Sequence, residues 1–269
     1  MKKFALLCLV LFLAVILAAS VAFAADTPST LDKILAAKKI VIGTAPGYLP
    51  FEMKDKKGNF IGYDIDLGKA VAKALNVEVE FKQFEFSGLI PALQTGEIDI
   101  LIAGMTIRGD RALAVSFPNP YYSTGQVLMV PAKDTETTIW SDLDKKGKKI
   151  AVSQGTTGAL LAKQIYKEAT VLDFPTFPEA SAALVQGEAD GIVYDEPGIR
   201  MYEIMHKEGV RGIYDLISSE NLGMAVRLND FAFIQWLNSF LFHYLGSPQE
   251  LESREKWFNS TEWMQEMAQ

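Results

Sequence analysis

Cysteine is all but missing: the single residue, Cys8, lies inside the apolar run that opens the chain. That excludes a disulfide framework and a thiolate metal set, and, once the run is removed, a thiol nucleophile. Histidine is scarce too. His206 and His243 sit on separate helical patterns without ligand spacing, so both read as structural or solvated and no metal site is expected. Basic residues do not cluster, and 26 Lys and Arg against 33 Asp and Glu leave a net charge of −7. Such a chain suits neither nucleic acid nor an anionic lipid surface. Only residues 4–19 are uninterruptedly apolar, short of the roughly 20 residues a spanning helix needs.

That run follows Met1, Lys2 and Lys3 and precedes Ala22-Phe23-Ala24, the small-x-small form a signal peptidase accepts. Residues 1–24 therefore read as a secretory signal peptide cleaved after Ala24, and Ala5-Leu6-Leu7 before Cys8 does not suit lipid attachment. Losing Lys2 and Lys3 takes the net charge from −7 to −9.

Of the 269 residues, 49% are hydrophobic and 22% charged, the balance of a globular chain with a sizeable core. A repeat sets the organisation. ALQTGEID at 92–99 returns as ALVQGEAD at 183–190, and each copy runs into a short strand-like segment, ILIAG or GIVYD. A helix, a glycine turn and a strand have been used twice, which implies two α/β lobes of similar build with parallel strands.

In the first lobe KIVIGTA reads as a buried strand, and Leu67, Ala70, Val71, Ala74 and Leu75 form the stripe of a helix. VEVEFKQF alternates as a strand, and Ser87 is placed to cap the helix that Gly96 ends. In the second, KKIAVSQG is a strand before a helix whose stripe is Leu160, Leu161, Gln164, Ile165 and Glu168; another helix is expected near Ile199–His206. MAVRL at 224–228 leads out as a strand. A last helix starts near Asn229 and Asp230, turns Phe233, Trp236, Leu237, Phe240, Leu241 and Tyr244 to the core, and stops at Gly246.

Ligands of parallel α/β folds gather at the carboxyl ends of strands. Gly104, Met105, Thr106 and Arg111 follow one such end. SQGTTG, 153–158, follows another and opens a helix, where the amides near Thr156 and Thr157 suit an anion. Arg111 brings the fork that matches a carboxylate, and Asp195, closing GIVYD, brings the opposite charge. Singly, each has a plain structural use as a surface ion pair, a helix cap or a turn. At corresponding strand ends they make a clamp for a zwitterion.

The runs IGTAPGYLPFE, GNFIGYDIDLGKAVAKAL, FSGLIPALQTGEIDILIAGMTIRGDRALAVSFPNPYY, SQGTTG and ADGIVYDEP cover nearly all of the chain after residue 24. In this order they resemble the periplasmic polar-amino-acid-binding proteins of ABC importers, bacterial solute-binding protein family 3, and GYDID is similar to that family's signature segment. The resemblance implies a two-lobed periplasmic-binding-protein type II fold. Lobe 1 would hold residues 25–130 and 224–269 and lobe 2 residues 131–223, with crossings near 129–133 and 221–225 and the cleft between them.

By the same resemblance Arg111 grips the ligand α-carboxylate, helped by Thr106 and the backbone at Thr157, while Asp195 and the Gly104 carbonyl take the α-ammonium. Tyr48 and Phe86 match aromatic walls, and Ser153 and Tyr194 match positions that vary with specificity. Asp64 and Asp66 read as helix-start acids. The resemblance further implies a periplasmic monomer without cofactor that closes on an amino acid and delivers it to an inner-membrane ABC permease. One position departs: Ala45 stands where members with basic or amide ligands carry an Asp. That favours a polar neutral ligand over a basic one, unless Glu52 replaces the charge. The competing class is an enzyme similar to the cyclohexadienyl dehydratases on the same fold, with Asp195 or Glu196 as general acid. Asp195 is better used as the ammonium partner, so no catalysis is expected.

Overall fold

The computed structural model describes residues 29–267, so the expected signal peptide, with Cys8, lies outside the described residues. Helix α1 (Thr30–Ala37) leads into β1 (Lys39–Thr44). The hairpin of β2 (Met53–Lys54) and β3 (Phe60–Ile61) precedes helix α2 (Tyr63–Leu75) and β4 (Glu78–Gln83). Helix α3 (Leu89–Thr95) then delivers β5 (Ile100–Leu101), and β4, β1 and β5 form a parallel sheet in that order.

After β6 (Val115–Ser116) and β7 (Tyr122–Thr124) the chain enters β8 (Gln126–Pro131) and β9 (Lys149–Ser153). Helix α4 (Thr157–Ile165), β10 (Thr170–Phe174), helix α5 (Phe177–Val185), β11 (Gly191–Asp195), helix α6 (Glu196–Met205) and β12 (Val210–Ile213) follow. The second sheet runs β10-β9-β11-β8-β12, with β8 antiparallel to both neighbours. β13 (Glu220–Leu222) and β14 (Val226–Arg227) lead out to helices α7 (Phe231–Tyr244) and α8 (Pro248–Arg254).

The repeated octapeptide does the same work twice. Gly96 and Gly187 end α3 and α5 with φ of 79° and 81°. Each closing aspartate then clasps the strand it joins: Asp99 accepts the Val41 N–H and Asp190 the Lys149 N–H, both at 2.9 Å. The corresponding strand orders, β4-β1-β5 and β10-β9-β11, place the carboxyl ends of both sheets toward one cleft.

Several local expectations are corrected. Strand β8 pairs with β11 and β12, so residues 126–131 belong to the second sheet rather than to lobe 1. Just before it, β7 lies antiparallel to β13. Ser87 does not cap α3; the N-cap position is Gly88, which provides no side-chain bond. Helix α4 buries Ala159 and Ala162, while Leu160 is 48% exposed. The reason is close approach: a Cβ on Gly158 would stand 2.8 Å from the Val193 carbonyl oxygen, so small residues must face the sheet.

Helix α7 buries Phe233, Leu237, Leu241 and Tyr244, with Trp236 and Phe240 half-buried and stacked along it. It is not the last helix. Helix α8 returns the chain to α2, where the GYDID segment receives it: Tyr63 donates to Glu250 at 2.7 Å, and Asp66 accepts from Trp257 Nε1 at 2.7 Å and Ser253 at 3.0 Å.

Candidate functional site

Ten of the eleven expected residues line one cavity of about 80 Å³ at the cleft, several times the space one water needs. They are Tyr48, Phe86, Gly104, Thr106, Arg111, Ser153, Thr156, Thr157, Tyr194 and Asp195. Met105 is the exception: its side chain is buried in a core cluster with Leu89, Leu93 and Leu101, because neighbouring residues at a strand end point to opposite faces.

Arg111 is 8% exposed and reaches across the cleft. Its guanidinium donates to the Thr106 carbonyl at 2.8 Å and to the Gly155 carbonyl at 3.0 Å, and lies 5.4 Å from the centre of the Phe86 ring. Two of five N–H groups are thereby used, and the rest remain for an anion. Burial, reinforced by Arg108, brings its pKa down to about 10, so it stays charged at neutral pH.

On the facing lobe, helix α4 opens at the cleft. Thr156 is consumed as its cap, accepting from the Ala159 amide at 3.2 Å and donating to the Ser153 carbonyl at 2.7 Å. The Thr157 hydroxyl donates to Glu220 at 2.8 Å, and Thr106 donates to the same oxygen at 2.7 Å. Glu220, the first residue of β13, thus joins the hydroxyls of Thr106 and Thr157.

Asp195 occupies the N-cap position of α6 but makes no capping bond. Its carboxylate turns instead to the Gln126 side-chain amide at 3.0 Å. Burial first, and then Glu220, push its pKa well above the usual carboxylate range, while Arg111 and Gln126 pull the other way. Neither Arg111 nor Asp195 belongs to a salt bridge among the described residues.

The aromatic wall joins the lobes. Tyr48 meets Tyr194 edge-on at 5.4 Å, and Tyr194 stacks on Phe177 at 4.0 Å. Gly104 permits the Tyr48 ring to lie on its turn: its φ is +54°, and a Cβ there would stand 2.3 Å from the ring. Asp64 holds that turn, accepting from the Gly104 N–H at 2.7 Å and from Tyr121 at 2.8 Å. It therefore does more than begin a helix. Glu52 also lines the cavity, fully buried.

Gln126, Glu220 and Phe177 escaped the sequence reading. Phe177 follows the carboxyl end of β10, and that position was the available signal. Gln126 begins β8 and Glu220 begins β13, where no motif marks them.

The model of the bacterial extracellular solute-binding proteins, family 3, matches residues 40–260. The ABC transporter arginine-binding protein 1 of Escherichia coli is 30% identical over 83% of this chain and 92% of its own length. The ABC transporter glutamine-binding protein GlnH of Bacillus subtilis is 30% identical over 96% of this chain and 97% of its own. Among solved structures, an ancestral amino acid-binding protein described as a precursor of cyclohexadienyl dehydratase is 38% identical. It superposes with a TM-score of 0.81, covering 86% of this chain and all of that one.

Proposed function

The chain belongs to the bacterial extracellular solute-binding proteins of family 3, and from that membership we propose that it captures an amino acid between its lobes and delivers it to an ABC permease. The carrying observation is that two buried, oppositely charged groups from different lobes, Arg111 and Asp195, line one cavity without pairing with each other. Burying both charges is costly unless an ion of matching form completes them, and an α-carboxylate with an α-ammonium does so. In this reading Arg111 and the free amides of Thr157 and Gly158 hold the carboxylate. Asp195 holds the ammonium, and Tyr48, Phe86 and Tyr194 enclose the side chain. Ligand favours the closed form because only that form lets both lobes grip it. The lobes divide at the paired strands β7 and β13, and the protein acts as a periplasmic monomer after removal of residues 1–24. The preference for a polar neutral ligand rested on Ala45, and Glu52 in the cavity wall reopens it.

Relatives are named as binding proteins, and the precursor of the dehydratase is itself named amino acid-binding, which favours capture over catalysis. The test is thermal melting of protein stripped by unfolding and refolding, against the twenty amino acids and prephenate. A ligand at 100 times its dissociation constant adds about 2.7 kcal/mol to stability. One or a few amino acids should raise the melting temperature by several degrees. Silence toward all twenty, or consumption of prephenate, overturns the proposal.

The clamp also carries a pH dependence. Asp195 must be ionised to hold an ammonium, yet its pKa is raised by burial and Glu220, with Arg111, Gln126, Tyr48 and Tyr194 also facing it. A bound ammonium pulls that pKa down, so binding releases a proton. Affinity is full above the raised value and falls as pH drops through it, by up to about tenfold per pH unit. Titration calorimetry across mildly acid to neutral pH should show this fall, and Asp195→Asn should flatten it; equal slopes in both proteins sink the assignment.

A further inference from the structure

Glu220 is buried directly behind two residues of the cavity lining, Thr106 and Thr157. Backbone pairing sets it there. The Ile107 N–H donates to the Asn221 carbonyl at 2.8 Å, Thr106 and Leu222 face each other in an antiparallel bridge, and Glu220 itself pairs with Thr124 of β7. From that position one carboxylate oxygen accepts from the hydroxyls of Thr106 at 2.7 Å and Thr157 at 2.8 Å, and the other accepts from Ser218 at 2.8 Å.

A hydroxyl has one proton to give. While Glu220 holds those of Thr106 and Thr157, neither serves a ligand carboxylate, and Thr157 is tied further by accepting from Gln126 at 3.1 Å. The same Gln126 amide donates to Asp195 at 3.0 Å, so the network runs from the carboxylate end of the clamp to the ammonium end. Charge points the same way at both ends. Glu220 favours the charged form of Arg111, as a ligand carboxylate does, and after burial it is the largest influence opposing the ionisation of Asp195. In chemistry, charge and partners it duplicates the carboxylate of the ligand.

We propose that Glu220 is an internal rival of the ligand carboxylate, an affinity-limiting residue that makes the clamp release its cargo readily. The inference rests on the amino-acid reading above. A carboxylate seated between Arg111 and the α4 amides lies beside this second carboxylate, and it must take the hydroxyls from Glu220 or bind without them. Either course lowers affinity, through like-charge repulsion or through hydrogen bonds not made. Removing the charge of Glu220 therefore tightens binding, whereas removing a group that holds the ligand or the fold weakens it.

The test is titration calorimetry with stopped-flow dissociation on the stripped protein. The probes are L-glutamine and L-arginine, each against its own α-carboxamide; if melting finds another amino acid, that one and its carboxamide replace them. At a pH above the acid fall, Glu220→Gln should tighten the carboxylate form about tenfold, chiefly through slower dissociation, and the carboxamide by less than about threefold. The acid fall itself should move to lower pH, because Asp195 loses the neighbour that opposes its ionisation, while Arg111, Gln126, Tyr48 and Tyr194 still face it. Glu220→Asp, which draws the acid back by one methylene, should tighten binding by less and in the same direction, and it carries the test if the glutamine variant does not fold. Unchanged or weaker carboxylate binding, equal tightening of the carboxamide, or an unmoved acid fall in Glu220→Gln, each overturns the proposal. If wild type binds none of the twenty amino acids, the amino-acid reading itself falls; if it binds one and the variants fail to tighten, the rivalry alone falls.

Discussion

Arg111→Ala is expected to weaken amino-acid binding by roughly two to four powers of ten, corresponding to about 3–5 kcal/mol. The size follows from burial. The guanidinium is enclosed between Thr106, Phe86 and the Gly155 carbonyl of the facing lobe, and a ligand carboxylate brought there without it is desolvated and unpaired. Helix α4 and the hydroxyls of Thr106 and Thr157 remain, so some binding survives. Arg111→Lys should fall between the two, since it restores the charge without the fork. Calorimetry is the measurement, with melting of the unliganded variants as a control for the lost contact to Gly155. A change below threefold for Arg111→Ala removes it from the clamp.

Trp257→Ala is expected to cost about 3–5 kcal/mol of stability, as large-to-small changes at buried aromatics do. Trp257 is 1% exposed, meets Trp263 at 5.5 Å and donates its indole N–H to Asp66. Its removal empties the seam between α2 and the segment after α8, and leaves Asp66 with Ser253 as its remaining side-chain hydrogen-bond partner and Lys69 at 4.0 Å. For a chain of this size the melting temperature should fall by roughly 10 °C. Trp257→Phe keeps most of the apolar contact and loses the hydrogen bond, so its cost should be about 1–2 kcal/mol. Denaturant unfolding checks both. Near-equal, small effects would mean that the segment after α8 contributes little to holding the first lobe.

Much of this architecture was legible in residue order because its signals are local. The repeat at 92–99 and 183–190 encodes a helix, its glycine stop and the approach to the next strand, all within a few residues of one another, while its closing aspartate ties a strand that came earlier in the chain. Arg111, SQGTTG and Asp195 were legible for a related reason: strand ends in a parallel sheet face the same way, so a position in the sequence specifies a place at the cleft. Met105 escaped that rule, since alternation along the backbone sends neighbours to opposite sides. The stripe on α4 misled because backbone contact, rather than apolar periodicity, chooses which face Gly158 turns inward.

The sequence by itself determined that the chain has two α/β lobes, that it has one cysteine and two widely separated histidines, and that Arg111 and Asp195 follow strand ends. Those properties depend on composition, period and neighbours within a helical turn or two. Only the tertiary structure decided that β8 belongs to the second sheet, that Glu220 joins Thr106 to Thr157, and that Glu52 lies beside Asp64 in the cavity wall. Each of these unites segments remote in sequence through sheet register or side-chain direction. Nothing in residue order marks Glu52 as more than an ordinary acid; burial and the neighbouring Asp64, which together hold its pKa well above the usual carboxylate range, arise only when the chain folds.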